Sequence, residues 1–482
     1  MRLSQLLQRD LAVDPEITGI TADSRRVGPG VLFAALPGIA RDGADFAPQA
    51  VVAGAAAILS GRDLPGLGVP VIVSPDPRRA YALAAMTLHA RQPQVVVAVT
   101  GTNGKTSVAG FRRQIAAACG RLSASMGTLG VLVSGRGRED VSLTPAGLTT
   151  PDAGDVAVLL ARLADLGVND LALEASSHGL DQRRLDGVRL AAGAFLNLTQ
   201  DHLDYHGDMA SYQAAKLRLF DTLLPRGAPA VLSADSPAFP AFAAAATLAG
   251  AGMLTFGENG RDLRLVARTP RPGGQVLDVE WDGRNWRVDL PLAGAFQAMN
   301  ALAAAGLSLA VGEAAAATFA ARVGLRGAPG RLQHVGSGAL GGEAYVDYAH
   351  TPDGLETVLR ALRPHASGQL VVVFGAGGDR DRTKRPRMGE AAGRLADLAI
   401  VTDDNPRSED PAAIRAEVRA GHPDLKEIGD RREAIRTAVA GLRAGDILVV
   451  AGKGHEQGQV IAGVTHPFDD IAETRAALEA EA

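Results

Sequence analysis

The chain has 482 residues, of which 46% are hydrophobic and 21% charged, and a formal net charge of −4. That length exceeds one typical domain and calls for roughly two to four, while the slightly acidic balance argues against a nucleic-acid partner. A single cysteine, Cys119, excludes an internal disulfide, fits a reducing compartment and reads as helix packing.

At the N-terminus, Arg2, Arg9 and Asp10 surround a short Leu6-Leu7 pair. No apolar run of about 7–15 residues follows, so no signal peptide is expected and a cytoplasmic location is. Gly and Pro punctuate Thr18 to Pro48, and apolar pieces Val31–Leu36, Val51–Leu59 and Val69–Val73 suggest a small α/β domain over residues 1–91. A second domain, 92–328, opens with Val95 to Val99, a buried-strand run. Next comes Thr100-Gly-Thr-Asn-Gly-Lys-Thr-Ser107, then the helical segment Val108 to Ala118. A tight Gly/Thr/Asn turn between strand and helix aims backbone N–H groups and a helix N-terminus at one point, the arrangement that binds phosphates. Lys105 is expected to reach the β/γ-phosphates and the Thr106 hydroxyl to hold Mg²⁺. The loop is shorter than the common P-loop, since Val99 stands where the first glycine would be.

Further along, Leu171–Glu174 and Ala194–Asn197 are strand-like, with helical stretches such as Val156–Leu166 between them, which predicts a mostly parallel sheet with sites at strand C-terminal ends. Arg264–Arg268, Val276–Trp281 and Asn285–Leu290 alternate as antiparallel strands do. Leu290 to Gly312 is long enough to span a bilayer, but its Ala/Gly content and Gln297, Asn300 and Ser308 favour a buried helix, so no membrane partner is expected. A Gly/Pro-rich break at Gly324–Gly330 precedes a third domain, 329–482, whose strands Ala344–Asp347, Leu370–Phe374, Ala399–Thr402 and Ile447–Val450 alternate with helices. The fold class is therefore α/β in three domains: the central one a P-loop-type, mostly parallel sheet, the C-terminal one doubly wound and Rossmann-like.

Chemistry-bearing clusters follow the strands. Glu174-Ala-Ser-Ser-His178 offers a carboxylate that reads equally as a metal ligand or a helix cap. Asp201-His202-Leu-Asp204-Tyr-His206-Gly207 is dense in His and Asp, and on spacing alone zinc is one reading. Gly375-Ala-Gly-Gly-Asp379-Arg380-Asp381 is a glycine-rich turn. Asp404-Asn405-Pro406-Arg407 and Gly452-Lys453-Gly454-His455-Glu456 read equally as turn chemistry or as a site.

In that order, the loop Gly101–Ser107, Glu174–His178, Asp201–Gly207 and Asp347-Tyr-Ala-His-Thr-Pro-Asp353 resemble the ATP-dependent Mur ligases of peptidoglycan synthesis over essentially the whole chain. Asp404-Asn-Pro-Arg407 is similar to the motif of those members that add meso-2,6-diaminopimelate to UDP-N-acetylmuramoyl-L-alanyl-D-glutamate. The resemblance implies three domains that bind UDP, ATP and the amino acid in turn, in a monomer. It implies ATP contacts at Gly101, Thr102, Asn103, Gly104, Lys105, Thr106, Ser107, Asn300, Arg331 and Asp347. Mg²⁺ would be held by Thr106, Glu174, His202 and Lys216, the last as a CO₂-derived carbamate, with Lys105, Glu174, His202 and Lys216 as the catalytic set. From its residue type alone, Lys216 reads as a solvated helix lysine.

The resemblance further implies UDP-substrate contacts at Ser24, Thr149, Thr150, Ser176, Gln182 and Arg184, and diaminopimelate contacts at Arg380, Asp404, Asn405, Pro406, Arg407, Gly452 and Glu456. Arg184 and Arg407 suit bidentate anion recognition. Ile39-Ala40 depart from the family pattern where polar residues near a uracil are expected, and Gln297 stands where related sequences often have Asn. Two other readings are a lysine-adding or folylpolyglutamate-type sister ligase, against which Asp404-Asn-Pro-Arg407 argues, and a non-catalytic nucleotide-dependent binding protein. Against the latter stands the intact Glu174, His202 and Lys216 set.

Overall fold

Parallel strands with apolar residues on both faces dominate the computed structural model, which describes residues 1–38, 41–135, 138–145, 147–321 and 324–481. The Ile39-Ala40 departure lies outside the described residues. The chain divides into two units, Met1–Asp262 with Ala303–Thr318, and Leu263–Leu302 with Phe319–Ala482.

In the first unit, β1 (Gly19–Thr21), β2 (Val31–Ala35), β3 (Ala55–Ser60) and β4 (Val71–Val73) form a parallel sheet in sequential order. The apolar piece Val51–Leu59 splits into the end of a helix, Ala47–Val52, and the start of β3, because Gly54 turns the chain between them at φ +102°. The helix Pro77–Leu88 covers this sheet through Tyr81, Ala82 and Ala84. Tyr81 donates its hydroxyl hydrogen to Asp152, which caps the helix Ala153–Asp165, and Arg26 pairs with Asp155 at 2.9 Å.

β5 (Val95–Thr100) lies at the middle of the next sheet. Its Val96, Val97, Ala98 and Val99 are all 0% exposed, which explains the unbroken apolar run. Beside it run β9 (Asp170–Glu174) and β10 (Ala192–Phe195), both parallel. On the β9 side follow β6 (Ser123–Gly127), parallel, and then β7 (Gly130–Gly135) and β8 (Arg138–Thr144), antiparallel. On the β10 side follow β11 (Pro229–Ser233) and β12 (Gly252–Gly257), parallel. Since successive strands are added on both sides of β5, the crevice beyond its C-terminal end is where ligands bind in such sheets. Burying one Val, Leu or Phe there contributes about 1.5–3 kcal/mol relative to exposure, and the core that positions the site includes Leu171, Leu173, Phe195, Leu219 and Phe220.

In the second unit, β13 (Leu263–Arg271), β14 (Gly274–Trp281) and β15 (Arg284–Leu290) form the expected antiparallel meander. The stretch Leu290 to Gly312 contains the helix Ala295–Ala310, and no helix among the described residues is long and apolar enough to cross a membrane. A six-stranded sheet carries β16 (Gln333–Ser337), β17 (Glu343–Asp347), β18 (Leu370–Phe374), β19 (Leu398–Val401), β20 (Lys426–Glu427) and β21 (Ile447–Ala451). Its order is β16-β17-β21-β18-β19-β20, parallel except for β16 against β17. Asp347 and Phe374 both pair in register with Ala451, and Phe374 with Val401, so the loops after β17, β18, β19 and β21 leave one end of the sheet together. A hairpin of β22 (Gly458–Ile461) and β23 (Val464–Pro467) follows.

Candidate active site

The loop Gly101–Gly104 joins β5 to the helix Lys105–Ala118. Gly104 stands at the N-cap with φ +90°, where a side chain would be strained, and this lets the helix start directly on the loop. Thr102 fixes the loop from beneath: its hydroxyl bonds the Thr199 carbonyl and the Tyr212 hydroxyl, both at 3.1 Å. Asn103 N–H donates to Asn197 Oδ1 at 2.9 Å, so the end of β10 braces the loop's outer face. Lys105 folds back, its ammonium donating to the carbonyls of Gly101 and Thr102 at 2.8 and 2.9 Å. Burial lowers its pKa, and the charges of Glu174 and Asp201 oppose that shift. Ser107 lies in the first turn of the helix, half-buried.

Glu174, 3% exposed, ends β9 beside the loop. Its carboxylate accepts from Thr106 Oγ1 and from the Thr128 N–H, each at 2.9 Å. Burial pushes its pKa up against these bonds and the Lys105 charge, so a buried carboxylate faces the helix N-terminus with its charge incompletely matched. The residue is not a helix cap; that role belongs to Ser176, which accepts from Gly179 N–H at 3.0 Å. Gly127, at the end of β6, is required here, because a Cβ atom would collide with the Glu174 carboxylate.

The residues expected to contact the UDP-linked substrate are largely brought together. Thr150 Oγ1 donates to the Glu174 carbonyl at 2.8 Å and lies 3.0 Å from Ser176 Oγ, while Thr149 Oγ1 is 3.0 Å from Thr128 Oγ1. Arg184 donates to the Thr150 carbonyl at 2.6 Å and to Gln182 Oε1 at 2.7 Å, and Gln182 donates to the Tyr205 hydroxyl at 3.1 Å. Ser24 sits apart in the 3₁₀ turn Ser24–Arg26, beside Asp23, whose carboxyl is held at about 2 by bonds from Arg25.

His202 adopts φ +53°, a strained backbone for a residue other than glycine. Its ring meets His178 at 4.9 Å, edge to face, and His178 in turn packs on Tyr205 at 4.1 Å. Among the described residues no three His, Cys, Asp or Glu side chains are gathered as a metal ion would require, so the zinc reading of Asp201–His206 finds no cluster. Lys216, by contrast with a solvated helix lysine, is 1% exposed. Its amine donates to the Gly101 carbonyl at 2.9 Å and lies 4.5 Å above the Tyr212 ring. Burial, with the Lys105 charge adding to it, pulls its pKa down to about 6.

The second unit carries another constellation. Asp404 and Asn405 follow β19 and are 6% and 7% exposed. Asn405 donates to Glu456 Oε2 at 3.0 Å, and Gln459 donates to the Asp404 carbonyl at 2.7 Å. Pro406 and Arg407 continue this loop; Arg407, at φ +53°, donates to the Gly378 carbonyl at 2.7 Å and pairs through its backbone with Val460 and Ala462. Buried Arg385 joins Glu409 at 2.8 Å and Glu417 at 2.8 Å, which straps this loop to the turn that carries exposed Arg380. Gly452 sits at φ +127°, with no room for a Cβ beside Asp404. Asp347 accepts from Leu332 N–H at 2.7 Å and Ala349 N–H at 2.8 Å, and Arg331 lies 5.0 Å from the centre of the Tyr348 ring. Asn300 donates to Gln297 at 3.2 Å within its own helix.

Three family models match the chain: the Mur ligase family catalytic domain over residues 16–91, the Mur ligase middle domain over 99–308 and the Mur ligase glutamate ligase domain over 330–454. The sequence is 66% identical over 479 residues to the UDP-N-acetylmuramoyl-L-alanyl-D-glutamate--2,6-diaminopimelate ligase of Caulobacter vibrioides, covering 99% of each chain. The chain belongs to the Mur ligase family. The ligase of the same name from Mesorhizobium japonicum is 53% identical over 98% of this chain and 96% of its own. A solved structure with that name superposes with a TM-score of 0.82 at 35% identity, covering 100% of this Mur ligase and 99% of the other.

Several residues of this Mur ligase that shape the site carry little signal in the sequence. Thr128, which holds Glu174, follows an unremarkable strand. Tyr212, beneath Lys216 and bonded to Thr102, is four residues before Lys216 and therefore on the same helix face. Lys453 stands in a cluster legible after β21, but only the fold shows that it is buried.

Proposed function

We propose that this Mur ligase joins meso-2,6-diaminopimelate to the D-glutamate side-chain carboxylate of UDP-N-acetylmuramoyl-L-alanyl-D-glutamate, at the expense of ATP, in cytoplasmic peptidoglycan precursor synthesis. The observation that carries this reading is the end-to-end 66% identity to the ligase of that name. Residues 1–91 are assigned to the UDP end of the acceptor, 92–328 to ATP and 329–482 to the amino acid, in a monomer.

ATP phosphorylates the carboxylate, giving an acyl phosphate and ADP. The amine at the L-centre of diaminopimelate attacks the acyl carbon, and the tetrahedral intermediate collapses to the amide and phosphate. The loop N–H groups of Gly101–Ser107 cradle the nucleotide phosphates, and Lys105 exchanges its two carbonyl partners for phosphate oxygens. Asn300, Arg331 and Asp347 are assigned to the nucleotide. Transfer requires the amino acid to reach the acyl phosphate with water excluded.

Magnesium fits the donors present: a buried, incompletely neutralised Glu174 carboxylate with the Thr106 hydroxyl on it is a hard oxygen pair. Thr106, Glu174, His202 and a carbamylated Lys216 would hold the ion, which neutralises phosphate charge when bound. The low pKa of Lys216 supports the carbamate, because only the neutral amine attacks CO₂, losing a proton as the N–C bond forms. Thr149, Thr150, Ser176, Gln182, Arg184 and Ser24 are assigned to the acceptor. Arg407 clamps the distal carboxylate of diaminopimelate, Glu456 pairs with its distal ammonium, and Arg380, Asp404, Asn405, Pro406 and Gly452 complete that site. L-Lysine lacks the carboxylate and leaves Arg407 unpaired, which a site built for a polar group rejects by roughly 10⁴.

The test is ADP release with ATP, the UDP-linked acceptor and a panel of amino acids. Turnover should require the acceptor and diaminopimelate together. Preference for L-lysine overturns the substrate; turnover without any amino acid overturns ligation.

A further inference from the structure

Lys453 is buried in the second unit and has no role in the reaction as described so far. It follows β21, and its side chain is 0% exposed. Its ammonium donates to Asn405 Oδ1 at 2.9 Å and to the Gly458 carbonyl at 2.7 Å. Two carboxylates flank it, Asp404 at 3.7 Å and Glu456 at 3.8 Å. Asn405 Oδ1 also accepts from the Val460 N–H at 2.9 Å. Two donors converging on one amide oxygen force the amide nitrogen to the opposite side, where it donates to Glu456 Oε2 at 3.0 Å. Turned over, the amide would set its NH₂ against both the Lys453 ammonium and the Val460 N–H, and its oxygen against the Glu456 carboxylate. Desolvating that ammonium costs several kcal/mol, a cost that an apolar side chain filling the same space would not carry, so packing alone does not account for it.

We infer that Lys453 is a positioning and specificity residue for the amino-acid substrate: it fixes the orientation of Asn405 and Glu456 and offsets the Asp404–Glu456 charge so that an incoming carboxylate is tolerated. This rests on the diaminopimelate reading above. Removing the positive charge makes the site more negative, which disfavours the diaminopimelate carboxylate and relatively favours L-lysine.

Lys453→Met and Lys453→Gln are compared with the wild-type enzyme in steady-state kinetics with ATP, the UDP-linked acceptor and either amino acid. Lys453→Met should raise KM for diaminopimelate by about 10- to 100-fold, the range expected when a buried acceptor in the binding site loses its donor, with KM for ATP and acceptor within about twofold. Its preference for diaminopimelate over L-lysine should fall by about tenfold. Lys453→Gln keeps a donor toward Asn405, so it should recover part of the KM but not the preference. The proposal is overturned by an unchanged diaminopimelate KM in folded Lys453→Met, by all three KM values rising together, or by both variants lacking native circular dichroism. Wild-type refusal of diaminopimelate, with a selective loss in Lys453→Met for the amino acid that is used, overturns the substrate reading and upholds Lys453 as a positioning residue.

Discussion

The ammonium nitrogen of Lys216 donates to the carbonyl oxygen of Gly101 at 2.9 Å, joining the helix Met209–Arg218 to the residue that opens the phosphate loop. The amine is buried over Tyr212 and, among the described residues, bonds a carbonyl and not a carboxylate, the setting in which a lysine loses its proton near neutrality. Lys216→Ala should nearly abolish turnover, and short carboxylic acids should partly restore it by supplying the missing carboxylate. A fully active alanine variant excludes the carbamate.

Lys216 also predicts a pH dependence of stability. Its folded pKa, about 6, lies below that of an unfolded lysine, 10.5. Between those values the unfolded chain binds the extra proton, so this residue's contribution to stability rises with pH. The penalty is fully present below about 6 and fades toward 10.5. In CO₂-depleted buffer, Lys216→Met should therefore unfold at a higher temperature than the wild type at pH 6, with the gap narrowing by pH 9. A gap independent of pH shows that burial does not shift this lysine.

Gly127→Ala places a methyl group against the Glu174 carboxylate. The carboxylate must move, and a misplacement of about 1 Å in a catalytic group costs on the order of 10²-fold in rate. The expected result is a fall in kcat of that order in protein that stays folded at the assay temperature, with a stability cost of about 1–3 kcal/mol from the crowding. A lowered kcat that merely tracks a fall in the folded fraction indicates a folding defect instead.

Arg407→Ala removes the residue assigned to the distal carboxylate. Losing one partner of a buried charge pair costs about 2–5 kcal/mol. The apparent KM for diaminopimelate should rise by orders of magnitude, ATP affinity should hold, and discrimination against L-lysine should weaken. Equal loss of ATP and diaminopimelate affinity makes Arg407 structural, as its bond to the Gly378 carbonyl would allow.

The side chains of Arg431 and Asp470 are both 0% exposed and joined by two bonds of 2.7 Å. Arg431→Met strands a buried carboxylate and should lower stability by about 3–5 kcal/mol in urea unfolding. Restoring stability by the double change Arg431→Met with Asp470→Leu locates the cost in the stranded charge.

Much of this organisation is legible in the residue order. The run Val95–Val99 and the glycines after it are enough to announce a buried strand feeding a helix N-terminus, since a strand buried on both faces needs unbroken apolar residues and the turn needs Gly104. The alternation in Val276–Trp281 and Asn285–Leu290 likewise announces the meander. Strand order is not legible in this way. Nothing in the residues of Asp170–Glu174 says that this strand lies beside β5, yet that pairing is what brings Glu174 to Thr106 across 68 positions of chain.

The chain by itself thus determined the elements, their α/β class and the residue types available at each strand end, because periodicity and turn chemistry are local. Only the tertiary structure decided the environment of each group. Lys216 and Lys453 are lysines like any other in the sequence; it is the packing of distant segments around them that removes water, pulls the pKa of each down and fixes the acceptor each faces. Desolvation depends on everything within a few ångströms, and that neighbourhood is set by chain crossings that no local pattern encodes.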